Sequence, residues 1–420
     1  MVKALNQETQ NFISSHQDDD VRQLALQGTK NPAVDMPMAL QQIAGRQTAR
    51  RKLPTWAAVE GILYPPHLNM EQCSSEQAAR YKAQVVNGLC ADHESFIDLT
   101  GGFGVDFYWM SQGFSRRCYV EQNDVLCDIA EHNFHLLNLS CSVNRGNASA
   151  FLSDVVPATI IFLDPARRNE HGGRTYGIAD CTPNVLELLP LLMQKAHRVM
   201  LKLSPMLDWR KAIEDIEQAA STHQVFVHEV HIVSVDNECK ELLMVLGKEP
   251  VEGLRLVCVN NDSIFEVTPK PQTYSTKISN LQYEDVKLTV LSHRTEQESA
   301  DAFLFEPNAS IMKAGCFDEV ARRFGVRPVS INSHLFLSPI EIHDFPGRRF
   351  RIVSISSMNR QELKRSLIGI ERANITVRNF PLSVDQLRKK LRLKDGGDTF
   401  IFATTNADNA HQLFICRKIG

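Results

Sequence analysis

The sequence predicts an α/β protein centred on a doubly wound, mainly parallel sheet, and three observations predict it. Between residues 90 and 250, apolar strand-like runs alternate with segments of helical spacing. A glycine-rich stretch leaves the first of those strands and opens the next helix. The last two strands, 224–235 and 241–247, follow each other too closely for a helix to intervene. Alternation puts helices on both faces of a parallel sheet, and the closing pair predicts an antiparallel edge.

The elements are expected in this order. Residues 1–80 form an N-terminal helical region, with helical apolar spacing at 21–26 and 38–43 and with Asn31-Pro32 and Met36-Pro37 breaking the chain between them. Tyr64-Pro65-Pro66 marks a loop, and Ser74-Ser75-Glu76 starts a helix running through Val86. Residues 81–250 hold the sheet, with strands at 95–99, 117–121, 142–144, 159–163 and 198–203 and helices at 105–112, 124–137, 184–195 and 209–220. Residues 251–344 read as a small α+β module, with strands at 254–259, 263–267, 287–291 and 302–305 and a helix at 311–324. Residues 345–420 read β-α-β-α-β-β, at 350–355, 360–368, 374–377, 384–391, 399–403 and 411–416.

Composition narrows the classes. A 420-residue chain that is 43% hydrophobic and 23% charged is not globally disordered, and at this length it holds more than one domain. No apolar run reaches the roughly 18 residues of a membrane span, and the first twenty residues lack the apolar core of a secretory signal. The ten cysteines include no C-x-x-C pair, which argues against a zinc ribbon and a disulfide framework. Reduced thiols, a cytoplasmic location and no metal are therefore expected. The net charge of -3 is unevenly spread: residues 345–394 hold thirteen Lys/Arg against Glu362, Glu371 and Asp385, or +10, leaving -13 for the remainder. A basic module on an acidic body is the electrostatic footprint of a nucleic-acid binder.

The chemistry begins at Asp98-Leu99-Thr100-Gly101-Gly102-Phe103-Gly104. Glycines let a backbone turn sharply beside a ligand, and the following helix N-terminus presents free N–H groups. A dinucleotide fingerprint beginning at Gly102 would need glycine where Phe107 stands, and Asp98 would repel a pyrophosphate while suiting an ammonium group. The acid with glycines four and six residues later resembles motif I of class I S-adenosylmethionine-dependent methyltransferases. Thr100 replaces a glycine common in that family, with Gly101 beside it. The resemblance, over about residues 80–250, implies a seven-stranded Rossmann-like methyltransferase sheet and S-adenosyl-L-methionine as cofactor. It implies a cofactor set of Asp98, Thr100, Gly101, Gly102, Gly104, Glu121, Gln122, Asn147 and Ala148. Glu121 would hold the ribose hydroxyls and Asn147 the adenine amino group.

The next strand ends in Asp164-Pro165-Ala166-Arg167-Arg168, where the family holds its methyl acceptor. It resembles the Asn/Asp-Pro-Pro-aromatic motif of N-methyltransferases at Asp164-Pro165 and departs from it at Ala166 and Arg167. Arg167, Arg168 and Arg174 are candidates for phosphate contacts, or are solvated loop charge. Cys181, the nearest thiol, is expected to be packed rather than nucleophilic. Lys202 sits amid apolar residues at a strand end and needs a partner, for which Asp164 is placed. With Lys82 and Glu241 these residues resemble, by strand position, the Lys-Asp-Lys-Glu tetrad of ribose 2′-O-methyltransferases. In that reading a lysine of depressed pKa helps deprotonate a hydroxyl.

The last module, with Ile375-Thr376-Val377-Arg378-Asn379-Phe380-Pro381, resembles the THUMP-like domain attached to certain bacterial methyltransferases. That resemblance implies RNA, tRNA or rRNA, as partner, with Arg378, Arg388, Lys389 and Lys390 as contact candidates alongside the loop arginines. The expected activity is methyl transfer to a base nitrogen or a ribose 2′-hydroxyl. The rivals are an NAD-linked oxidoreductase, disfavoured by Phe107, and a non-catalytic RNA-binding protein with a vestigial cofactor fold.

Overall fold

A computed structural model describes residues 5–167, 177–220, 224–269 and 303–419. They fall into two compact units, residues 1–235 with 240–255 and residues 236–239 with 256–420.

The first unit is built on seven strands: β1 Ser95–Asp98, β2 Arg116–Glu121, β3 Ser142–Arg145, β4 Ala158–Leu163, β5 Ala196–Leu203, β6 Phe226–Val235 and β7 Glu238–Gly247. Their spatial order is β6-β7-β5-β4-β1-β2-β3. The pairs β1–β2, β1–β4, β2–β3 and β4–β5 are parallel, and β5–β7 is antiparallel. β6 and β7 are joined through Asp236 and Asn237, both at positive φ (52° and 62°), the backbone of a tight hairpin turn. The strands lie within three residues of the expected bounds because a sheet covered on both faces is written in near-continuous apolar runs.

The helical region before the sheet contains Gln7–Ser15, Val21–Gln27, Met36–Lys52 and the short Pro54–Ala57 and His67–Gln72, followed by Glu76–Leu89. Pro37 does not break its helix but occupies the first turn, where a missing N–H has no consequence. These helices share the core of the sheet. Leu53, Trp56 and Tyr64 pack in one cluster with Phe96, Phe103, Phe107 and Phe134. The Asn133 side chain bonds both backbone groups of Leu63, each at 2.8 Å.

The second unit contains the hairpin Arg255–Asn260/Ser263–Val267 and a seven-stranded sheet. The sheet order is Arg327–Pro328, Phe336–Ser338, Phe303–Pro307, Gly347–Ser357, His411–Ile419, Thr399–Thr405, Asn374–Arg378. Its last pair is parallel, and with helices Arg360–Ser366 and Val384–Leu391 the β-α-β-α-β-β order is as expected. The helix expected at 311–324 is two helices, Ala309–Ala314 and Phe317–Phe324, because Gly315 takes a left-handed conformation (φ 71°) that ends the first. The strand expected at 287–291 lies outside the described residues.

Candidate functional site

The sheet order reverses between β1 and β4, and doubly wound folds bind ligands at the carboxyl ends of such strands. The glycine loop lies there, and its glycines are dictated by neighbours. A Cβ on Gly101 would lie 2.1 Å from the Tyr119 ring, and one on Gly104 2.6 Å from Phe134. Gly102 (φ +56°) and Gly104 (φ +87°) take left-handed backbone, and a Cβ on Gly102 would meet only the Thr100 carbonyl oxygen, at 3.9 Å. The Tyr119 hydroxyl donates to the Gly102 carbonyl at 2.5 Å, and the Gly102 N–H donates to Glu121 Oε2 at 2.9 Å. Phe103 anchors the loop from behind, edge-on to Trp56 with ring centroids 5.0 Å apart. Phe107 is fully buried against Phe96, Tyr119 and Phe134. The helix–strand contact that a dinucleotide fingerprint closes with glycine is thus filled by an aromatic ring.

Over this loop opens a cavity of about 900 Å³. All nine expected cofactor residues line it: Asp98, Thr100, Gly101, Gly102, Gly104, Glu121, Gln122, Asn147 and Ala148. Asp98 is 1% exposed. Its Oδ1 accepts the Thr100 N–H at 2.9 Å, and its buried Oδ2 has no partner among the described residues. Burial pushes its carboxyl well above the ordinary range; the Thr100 N–H opposes this, while the carboxylates of Asp106, Asp164 and Glu121 add to it. Thr100 Oγ1 accepts the Asp164 N–H at 2.6 Å and so links the first loop to the loop after β4. Both Glu121 oxygens accept backbone N–H groups, from Gly102 and from Asn123. Each keeps a lone pair for a further donor. Asn147 departs from its expected role. Its Oδ1 accepts the N–H groups of Ser149 and Ala150 as cap of the helix Ala148–Asp154, so that oxygen is spent and is not available to an adenine amino group.

At the inner end of the cavity stands a chain of alternating charges. Lys82, on the Glu76–Leu89 helix, is 0% exposed and donates to Glu241 Oε1 and Oε2 at 2.7 and 2.6 Å. Its Nζ lies 3.2 Å from Asp106 Oδ1 and 3.0 Å from Ser74 Oγ. Asp106 Oδ2 accepts from Ser74 at 2.8 Å and pairs with Lys202 Nζ at 3.5 Å. Lys202 in turn donates to Asp164 Oδ2 at 2.5 Å. The four residues matched to a tetrad by strand position therefore meet, joined through Asp106 and Ser74, which sequence reasoning missed. The available signal was an acid between Val105 and Phe107 in the first turn of a buried helix.

Exposure divides the chain. Lys82 and Glu241 are sealed, whereas the Lys202 side chain is 11% and Asp164 38% exposed, and both line the cavity. The expected depressed lysine pKa is not found. Burial alone would lower the Lys202 ammonium, but the carboxylates of Asp164, Asp106 and Glu241 outweigh it and hold the group above its ordinary range. Asp106 is likewise desolvated yet held below the usual carboxylate range by the two lysines.

The other expected contacts are less uniform. Arg167 lies in a two-residue strand paired with Cys181, while Arg168 and Arg174 lie outside the described residues. Cys181 is buried at the cavity wall. In the second unit Arg378 is turned onto buried Glu306 (Nη2 to Oε1, 3.0 Å) and Arg388 onto the Ala373 carbonyl and Asp395. Each guanidinium thus makes an internal contact of the fold. Lys389 and Lys390 are exposed. Among the described residues no helix is long and apolar enough to cross a membrane, and no group of three or more His, Cys, Asp or Glu is placed to hold a metal ion.

Fold and cavity define a class: a methyltransferase-type α/β sheet followed by ferredoxin-like and THUMP-like domains. Residues 303–346 match a ferredoxin-like domain family and residues 347–418 a THUMP domain-like family. The whole chain is similar to the structure of a putative methyltransferase from Porphyromonas gingivalis W83, at 28% identity and a TM-score of 0.80 over 98% of each chain. A putative class I S-adenosylmethionine-dependent methyltransferase from Listeria monocytogenes is a distant likeness (9% identity, TM-score 0.40, 60% of this chain and 94% of that one). So is TrmK of M. capricolum in complex with S-adenosylhomocysteine (12%, 0.31, 40% and 68%). No curated protein matches the chain.

Proposed function

We propose that the protein is an S-adenosylmethionine-dependent methyltransferase of the cytoplasm that modifies RNA, tRNA or rRNA, at a base nitrogen or a ribose 2′-hydroxyl. The observation that carries this reading is the partnerless Oδ2 of Asp98, buried at the wall of the glycine-loop cavity. A buried carboxylate oxygen without a donor is costly, and an amino acid's ammonium group is the donor it lacks. Glu121 keeps acceptor capacity for ribose hydroxyls, and the Asn147 amide and Ala148 backbone lie on the wall that would face adenine. Bound there, S-adenosylmethionine supplies a methyl group activated by sulfonium charge.

The chain's own residues do the rest. Asp164 Oδ2 is held by Lys202, leaving Oδ1 to accept the N–H or O–H proton of the acceptor. Lys202 is held as an ammonium by the acids around it, so Asp164 rather than the lysine is the group placed to accept the proton. Lys82 and Glu241, sealed from the cavity, are positioning residues. The match of residues 347–418 to the THUMP domain-like family supports an RNA partner, and the excess of Lys/Arg there supports recognition of backbone and shape rather than of sequence.

Titration calorimetry with S-adenosylhomocysteine and with NAD tests the cofactor, and binding of NAD alone would overturn it. Mass spectrometry of tRNA and rRNA nucleosides from a deletion strain tests the substrate: one methylated nucleoside is expected to vanish. It should return with the parent gene and not with Asp164→Ala. A complete set of nucleosides in the deletion strain would overturn the RNA assignment.

A further inference from the structure

We propose that Asp106 is a positioning residue that fixes Lys202, and through it Asp164, so that one carboxylate oxygen is presented to the methyl acceptor. Its catalytic consequence rests on the methyltransferase reading, but its physical content does not. Asp106 stands in the first turn of the helix Val105–Met110, directly behind the glycine loop. One hydrogen bond and two ion pairs converge on it: Ser74 Oγ donates at 2.8 Å, and the ammonium groups of Lys82 and Lys202 lie 3.2 and 3.5 Å away.

Charge accounting shows which of these needs it. Lys82 already holds both oxygens of Glu241, so its charge is balanced without Asp106. Lys202 pairs on its other side with Asp164, the member most open to the cavity. A lysine pulled by one exposed carboxylate follows that carboxylate, whereas one held between two carboxylates from different elements stays in place. Asp106 is also the junction at which both lysines meet. Without its charge two ammonium groups would face each other across an uncharged gap, and the first to yield would be the one nearer water, Lys202. Ser74 keeps the carboxylate turned toward both lysines. The charged groups around Lys202 are then Asp164 from the loop after β4, Asp106 from the helix, Glu241 from β7 and, through Asp106, Lys82.

The experiment reads Lys202 directly and needs no RNA. The intact protein is carbamylated with cyanate across pH 7 to 11, and Lys202 modification is followed by peptide mass spectrometry. Asp106→Asn keeps the shape and the Ser74 contact but removes the charge. We expect its Lys202 to be labelled about 10-fold faster than the parent's at a fixed pH in that range, the effect of losing about one pH unit of ammonium stabilisation. Asp106→Glu should restore slow labelling. Labelling at the parent rate in a folded Asp106→Asn protein would overturn the proposal. If that variant does not fold, Ser74→Ala decides. It keeps the charge but frees the carboxylate to turn, so labelling should rise about threefold, and an unchanged rate would be the overturning result. If the parent failed to bind S-adenosylhomocysteine, the methyltransferase reading would fall while the labelling result stood.

Discussion

Two buried ion clusters, one in each unit, show how a structural charge cluster differs from a chemical one. In the second unit Glu306 takes Arg348 Nε on Oε2 at 2.7 Å and Arg378 Nη2 on Oε1 at 3.0 Å. Both carboxylate oxygens are used, and the two arginine side chains remain 38% and 34% exposed, in reach of water. That cluster is closed. In the first unit Glu241, Lys82, Asp106, Lys202 and Asp164 form an odd-numbered chain whose acids outnumber its bases, and it ends at a cavity beside the partnerless oxygen of Asp98. Burial is common to both clusters. Incompleteness on the side of a cavity belongs to one, and that is what marks a place for a ligand.

The comparison is broken most severely at Lys82. Replacing it with Met strands Glu241 as an uncompensated charge and leaves Asp106 to Lys202 alone, and loss of one partner from a buried pair costs about 3–5 kcal/mol. Urea unfolding should register that loss. Glu306→Gln should cost less, about 1–2 kcal/mol, because its arginines can turn outward and rehydrate. Equal losses would mean that the two clusters do not differ in the way described.

Asp98→Asn sharpens the same contrast through pH. The folded-state Asp98 carboxyl titrates above its ordinary 3.8 because it is buried. In the window above 3.8 the native protein still holds a proton that the unfolded chain has released, so this group's contribution to stability is full below that value and is lost as pH rises through the folded pKa. Asn should abolish this decline and raise the melting temperature at neutral pH. It should also weaken S-adenosylhomocysteine binding by about 10- to 100-fold, the worth of one hydrogen bond to a charged group. A stabilised variant that binds as tightly as the parent would remove Asp98 from the site.

The sheet was legible because each strand is a local apolar run and each turn a local glycine or proline. Asp98, Glu121 and Asp164 were legible because strand ends carry ligands in this architecture. Lys202 was legible because an ammonium in an apolar strand demands a partner. What escaped depended on distance in sequence. Ser74 and Asp106 meet across 32 residues, and Arg378 and Glu306 across 72. Trp56 reaches Phe103 from the N-terminal helical region, across 47 positions of sequence. Asn147 was within reach of local reasoning. An Asn preceding Ala-Ser-Ala-Phe is a helix cap, and a cap's oxygen is already engaged.

The smallest effect separates the two kinds of basic residue in the second unit. Arg378 and Arg388 close internal contacts, so replacing them with Gln should lower the unfolding midpoint before it alters any phosphate interaction. Lys389 and Lys390 are exposed on the Val384–Leu391 helix. Their double replacement by Gln should leave the unfolding midpoint unchanged. If both touch phosphates, the slope of log affinity for single-stranded RNA against log salt should become shallower by about 1.4, or about 0.7 for each phosphate no longer neutralised. Fluorescence anisotropy across a salt series reads that slope. An unchanged slope would move the RNA-binding surface off this helix, while a lowered midpoint would place these lysines with the arginines as parts of the fold.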